Sequence, residues 1–156
     1  MVASIVIPIY NEETNLNELA TRLLSTIQTK LDNWEVEILL VNDGSYDSSF
    51  SIMKELAEKN SMFKLVNLSR NFGHQIAISA GMDLASGDVC IVMDGDLQDP
   101  PETIPELVQK WKEGYEIVYA VRNKRDGESW FKLFTAKAFY RILKRITSVE
   151  IPVDTG

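Results

Sequence analysis

The chain has 156 residues, 45% of them apolar and 25% charged, enough for one soluble domain with a real core. Its net charge of -7 argues against a nucleic-acid binder, which carries a basic face. The single cysteine, Cys90, excludes an internal disulfide and every two-cysteine motif; inside its apolar run it reads as a buried small hydrophobe. Met1 leads into a strand-like segment without a basic start, so no signal peptide is expected. No apolar run approaches the roughly 20 residues that span a bilayer. The expectation is a soluble or peripheral intracellular protein.

The predicted elements alternate. ASIVIPI (3–9) is a nearly continuous apolar run, as in a strand buried on both faces. Residues 14–30 read as an amphipathic helix with Leu16, Leu19, Leu23 and Ile27 on one stripe. EVEILLV (35–41) is the second strand. Asp47 is placed to cap the next helix, which turns Ile52, Met53 and Leu56 inward and stops near Asn60. FKLVNLS (63–69) is the third strand, followed by a helix over 74–85 with Ser86-Gly87 as its C-cap. DVCIVMD (88–94) is the fourth strand. Pro101 suits the first turn of a helix running to Lys112, and YEIVYAV (115–121) reads as a fifth strand. Such alternation predicts an α/β fold with a mostly parallel sheet and helices on both faces.

Ligands of such sheets gather at the carboxyl ends of the strands. The polar clusters fall there: PIYNEE, NDGS, SRNFG and DGDLQD. In an extended segment, residues i and i+2 point to one side. Asp94 and Asp96 are thereby expected to share a hard cation, with Gln98 adding an amide oxygen and Gly95 admitting a ligand close to the backbone. A lone D-x-D also reads as a solvated acidic turn; its place beside three other polar strand ends favours the metal. Asn42-Asp43-Gly44-Ser45 reads either as a turn or as an acid that accepts from the edge of a base. Pro8 to Glu13 reads as a strand exit and helix start, or as a nucleoside pocket with Tyr10 as a flat face and Glu12 as an acceptor. Neither a G-x-G-x-x-G nor a P-loop pattern is present, which argues against a dinucleotide Rossmann site and against a P-loop.

Three further groups complete the set. Arg70 suits a structural salt bridge or a diphosphate contact, and His74, the sole histidine, cannot build a His-based metal site. Arg122, near Lys124 and Arg125, suits bidentate phosphate binding at the end of the fifth strand as well as a solvated loop. Residues 129–146 mix Trp130, Phe131, Phe134 and Phe139 with Lys132, Lys137, Arg141, Lys144 and Arg145. That mixture suits a membrane-interface helix or a helix packed on protein.

PIYNEE, VNDGS, SRNFG, MDGDLQDPPE and the terminal VDTG, in this order, resemble glycosyltransferase family 2. Within it they resemble the polyprenyl-phosphate glycosyltransferases related to dolichol-phosphate mannose synthase. The resemblance covers the whole chain, and DGDLQDPPE with VNDGS upstream is its most specific part. It implies a Rossmann-like nucleotide-sugar fold and an inverting, metal-dependent transfer of a hexose to a polyprenyl phosphate. Carried over by position, Pro8, Tyr10, Glu12 and Asp43 match nucleoside contacts. Val41, Arg70 and Gly95 complete the implied nucleotide-sugar set. Asp94, Asp96 and Gln98 match the metal motif for Mg²⁺ or Mn²⁺, and Arg122 matches a phosphate-gripping arginine. Asp154 matches an acid whose motif continues in the family as Asp-Thr-Gly-Asp-Phe-Arg, with base or sugar-positioning duty.

The implied partners are a UDP- or GDP-linked hexose, a polyprenyl phosphate and the cytoplasmic face of a membrane. A homo-oligomer is left open, and nucleic acid is not expected. Because members of the family continue into hydrophobic helices, the chain is expected to be one truncated catalytic domain over 1–156. Two alternatives stand beside this reading: a family 2 transferase acting on a glycan hydroxyl, and a non-catalytic nucleotide-binding membrane-docking module. A haloacid-dehalogenase-like phosphatase also uses D-x-D, but there the motif opens the domain, whereas here three strands precede it.

Overall fold

In the computed structural model, which describes residues 1–120, four parallel strands lie in the order β3-β2-β1-β4. They are β1 (Val2–Ile9), β2 (Glu35–Asn42), β3 (Phe63–Asn67) and β4 (Val89–Val92). The helices are α1 (Leu16–Lys30), α2 (Ser49–Lys59), α3 (His74–Leu84) and α4 (Ile104–Lys112), the last preceded by a 3₁₀ turn at Pro101–Thr103. Met1–Ile117 pack as one unit, and the fold and site described here belong to it.

The two central strands are apolar on both faces, and each face has its own helices. Ala3, Ile5, Ile7 and Ile9 of β1 join Ile38 and Leu40 of β2 in a core with Leu16, Leu19 and Leu23 of α1, Met53 of α2, and Ile104 and Val108 of α4. Val6, Leu39 and Val41 point the other way and meet Ala77 of α3. This is the period-2 alternation of a strand sandwiched between helices. Contact on the α3 face is close: a Cβ on Gly81 would lie 2.4 Å from Val6 Cγ1 and 2.9 Å from Val41 Cγ2.

The first two crossovers carry the chain from β1 through β2 to β3, while the third returns it past both to the far side of β1. The strand order therefore reverses between β1 and β4. A crevice at the carboxyl ends of the strands opens at such a point.

Several expectations change. Residues 115–120 form no strand, with Tyr115 58% and Ile117 83% exposed. YEIVYAV reads as a strand from its apolar run alone, but a strand exists only through a ladder with a neighbour. Cys90 is exposed rather than buried. It lies on β4, at the edge of the sheet among the described residues, where Ile91 and, just past the strand, Met93 turn into the main core while Val92 is 41% exposed. Gly87 does not end α3 by a left-handed turn. Its smallness serves close approach, since a Cβ there would lie 2.7 Å from Ser4 Oγ and 2.9 Å from Val2 O. Asp47 caps α2 as expected of it, one residue before the boundary given by the helix's backbone bonds. Its Oδ1 accepts the Ser49 N–H at 2.9 Å, whereas Ser48, next in the chain, makes no side-chain cap bond.

Candidate functional site

The loops after β1 and β2 are zipped together. Asn11, in the left-handed region at φ 57°, donates its N–H to Ser45 Oγ at 3.1 Å and accepts the Tyr46 N–H on Oδ1 at 3.0 Å. Asparagine tolerates that conformation better than most residues. Glu12 N–H donates to Ser49 Oγ at 2.8 Å, and Glu13 N–H to Asp47 Oδ2 at 3.2 Å. The Glu13 carboxylate returns to accept the Ser48 N–H at 2.9 Å. Burial opposes charge on Asp47, but the bonds from Ser49 and Glu13 outweigh it and hold its carboxyl below the ordinary range.

The loop after β3 is fastened to the loop after β2. Asp43, 3% exposed, accepts the Phe72 N–H at 2.7 Å and the Gly73 N–H at 3.0 Å. Gly44 has φ +68°, and a Cβ there would lie 2.5 Å from both Arg70 C and Asn71 N. The backbones therefore meet with no side chain between them. Asn42, also buried, donates from Nδ2 to Asn67 Oδ1 at 2.7 Å and accepts the Ser45 N–H at 3.0 Å.

Between these loops lies a cleft of about 250 Å³, lined by Pro8, Ile9, Tyr10, Asp43, Asn71, Gly73 and His74. Tyr10 is 45% exposed and meets Tyr46 edge to face, with centroids 6.1 Å apart. A half-exposed ring over a small cleft offers a stacking face to a planar ligand.

The fourth loop supplies acids. Strand β4 ends at Val92, so Asp94-Gly95-Asp96 lies in a turn, not in the extended segment expected of it. Asp96 Oδ1 accepts the Gln98 N–H at 2.9 Å, and Leu97 between them has φ 63°. Gly95 is buried, and a Cβ there would lie 2.5 Å from Ile9 Cδ1, so the turn sits directly on the end of β1. Asp94 is 47% exposed, and His74 Nε2 stands 3.4 Å from its Oδ1.

Of the residues singled out from sequence, Pro8, Tyr10, Asp43 and His74 line the cleft. Glu12 does not; its carboxylate accepts from Asn15 Nδ2 at 2.7 Å at the start of α1. Val41 is fully buried beneath the site. Arg70 stacks its guanidinium over Phe72, 4.2 Å from the ring centroid, and no described carboxylate pairs with it. Gln98 is exposed. Arg122, Asp154 and the 129–146 segment lie outside the described residues. Asn71 and Tyr46 were not foreseen as site residues; the signal for both was their place in polar loops at strand ends.

The donor set can be judged for a metal by its chemistry. Asp94 and Asp96 offer hard carboxylate oxygens, and neither is paired with a lysine or arginine among the described residues. No group of three or more histidine, cysteine or acidic residues suited to a metal occurs among the described residues. Two carboxylates fit a hard divalent cation that keeps most of its shell for water and phosphate.

Comparisons with known proteins agree with this architecture. The chain is 53% identical over 98% of its length to the Bacillus subtilis protein named uncharacterized glycosyltransferase YkcC, covering 47% of that protein. It is 39% identical over its full length to the bactoprenol glucosyl transferase of Shigella phage SfV, covering 50% of it. The chain thus spans about half the length of the curated relatives it matches. Among solved structures, the mannosyltransferase PcManGT of Pyrobaculum calidifontis, in complex with GDP-Man and Mn²⁺, superposes with a TM-score of 0.63. That match has 23% identity over 91% of this chain and 38% of the other, and it shows the shared Rossmann-like fold. Residues 4–156 match the family model described as glycosyl transferase family 2, and the chain belongs to that family.

Proposed function

We propose that this chain binds a nucleotide sugar and serves an inverting transfer of its hexose to a polyprenyl phosphate. The observation that carries the donor half is the cleft at the carboxyl ends of the strands, lined by Tyr10, Asp43 and His74, with Asp94 Oδ1 3.4 Å from His74 Nε2. The base would stack on Tyr10, and the diphosphate would extend toward Asp94 and Asp96. Mg²⁺ or Mn²⁺ held by these acids would offset charge developing on the leaving diphosphate. The chain's own contribution is to fix the donor: the zipped loops set the cleft, and Gly95 brings the acids against the end of β1.

The acceptor half is supported by the relatives named bactoprenol glucosyl transferase. A phosphate monoester has a second pKa near 6, so at neutral pH it is already an anionic nucleophile and needs placement more than deprotonation. Arg122 is assigned to that placement, and Asp154 to positioning the sugar. A lipid-linked acceptor puts the reaction at a membrane surface, on the cytoplasmic face where nucleotide sugars are available. No helix among the described residues is long and apolar enough to cross a membrane. The basic, aromatic 129–146 segment is assigned to the interface with anionic lipid.

The test offers the full natural protein UDP- and GDP-linked hexoses with Mn²⁺ and either a polyprenyl phosphate or a glycan. Organic-phase product with inverted anomeric configuration is expected. Transfer only to the glycan hydroxyl would replace the acceptor assignment. Nucleotide binding without transfer to any acceptor would support the docking-module alternative.

A further inference from the structure

His74 is the sole histidine of the chain, and it joins two parts of the site that the loops otherwise keep apart. Its side chain lines the cleft with Tyr10, Asp43 and Asn71, while Nε2 stands 3.4 Å from Asp94 Oδ1. That distance exceeds the usual N–H···O range of about 2.7–3.2 Å, so the contact is loose. Both side chains are about half exposed, at 52% and 47%. The imidazole is therefore neither a buried structural group nor fastened to one partner.

A donor seated with its base on Tyr10 and its diphosphate near Asp94 has to pass its phosphates across this ring. Arg70 does not compete for them in the described geometry, since its guanidinium lies over Phe72 and does not line the cleft. We propose that His74 is a diphosphate-binding residue: its Nε2–H donates to a phosphate oxygen of the nucleotide sugar, between the nucleoside cleft and the acids. This rests on the donor-site reading above and adds a contact to it. An imidazole suits the place because one N–H suffices for a phosphate oxygen. An ammonium or guanidinium there would instead pair tightly with Asp94 and compete for the oxygens a cation needs.

The experiment measures binding of nucleoside, nucleoside monophosphate and nucleoside diphosphate, in uracil and guanine series, by calorimetry with Mn²⁺. The wild-type chain, His74→Ala and His74→Gln are compared. A hydrogen bond to a charged group is worth about 1.5 kcal/mol or more, so His74→Ala should weaken the diphosphate about tenfold. The nucleoside should bind as to wild type, and His74→Gln, which keeps an N–H donor, should recover most of the loss. The half-saturating Mn²⁺ concentration should not move, which separates a phosphate contact from an effect through Asp94. Equal losses for nucleoside and diphosphate, no loss for either, or a shifted Mn²⁺ requirement would each overturn the assignment. Failure of the wild-type chain to bind any nucleotide would overturn the donor-site reading first, and this one with it.

Discussion

Asp43 and Gly73, thirty residues apart in sequence, are joined by a 3.0 Å hydrogen bond in which the buried carboxylate accepts the backbone N–H. The second oxygen takes the neighbouring Phe72 N–H at 2.7 Å. A single acid from the β2 loop thus holds the entry to α3, and with it the wall of the cleft that carries Asn71 and His74. Any hydrogen bond that Asp43 accepted from a base would use the lone pairs that remain, so a binding duty would be superimposed on the structural one.

Replacing Asp43 by alanine should therefore lower stability as well as nucleotide affinity. Two charge-assisted bonds are lost and two N–H groups are left to find water, at a cost of about 2–4 kcal/mol. Asp43→Asn should be intermediate, because the amide accepts one N–H but turns its own N–H₂ toward the other. Urea denaturation of the three proteins gives the order. Unchanged stability in Asp43→Ala would show that the loop holds itself.

The glycines of this region separate two causes of strain. Gly44 and Gly73 both have positive φ, +68° and +98°, but only Gly44 faces backbone atoms at 2.5 Å; nothing lies within 4 Å of a Cβ on Gly73. Gly73→Ala should cost only the conformational penalty, about 1–2 kcal/mol. Gly44→Ala adds a backbone collision that cannot be relieved without parting the two loops, and should cost at least about 1 kcal/mol more. Melting temperatures of the two variants check the order. Equal losses would mean that the β2 and β3 loops are free to move apart.

What the sequence disclosed depended on whether the partner was local. Strands β1 and β2 were legible because both faces are apolar, and the helix stripe of Leu16, Leu19 and Leu23 required only the helical period. The four polar strand ends were legible as one candidate site because a parallel sheet places them on one rim. The bonds between them were not, because Glu13 to Ser48 and Asp43 to Gly73 each span thirty or more residues and no periodicity marks them. Glu12 read as an acceptor for a nucleoside or as part of a helix start, and its bond from Asn15 at the start of α1 is that of the helix start. Cys90 read as buried because its neighbours are apolar, yet among the described residues β4 is outermost, and Cys90 and Val92 are exposed while Ile91 between them enters the core.

Asp94→Ala and Asp96→Ala should remove the Mn²⁺-dependent part of nucleotide binding while leaving melting temperature nearly unchanged. Asp94 is 47% exposed, and its described polar contact is the loose one to His74. Surface polar groups of this kind contribute about 0–1 kcal/mol to stability. Calorimetric titration of a nucleoside diphosphate with Mn²⁺ and with chelator is the check. If both variants keep the full Mn²⁺ enhancement, the metal assignment is wrong.

The last expectation concerns the opposite end of the sheet. Glu37 of β2, 5% exposed, accepts from Ser4 Oγ at 2.5 Å and from the Ser86 N–H at 2.6 Å, and it pairs with Lys64. It thereby ties the chain between α3 and β4 to the two central strands. Burial alone would raise its pKa, but Lys64, Ser4 and Ser86 together prevail and lower it from 4.5 to about 2. The folded state then binds fewer protons than the unfolded state through this interval. The contribution of Glu37 is fully present above the unfolded-state value and is lost as pH falls from 4.5 toward about 2. Its size at neutral pH is on the order of 3 kcal/mol at most, since one pKa unit corresponds to about 1.4 kcal/mol. Glu37→Gln should accordingly be less stable near pH 7 and should converge with wild type near the acid end, where the wild-type carboxyl is protonated. Lys64→Met, which removes a half-exposed partner and leaves the serine bonds, should lose less. Denaturant unfolding from pH 7 down to 2.5 measures all three. Parallel pH profiles for wild type and Glu37→Gln would show that this carboxylate does not govern the acid limb of stability.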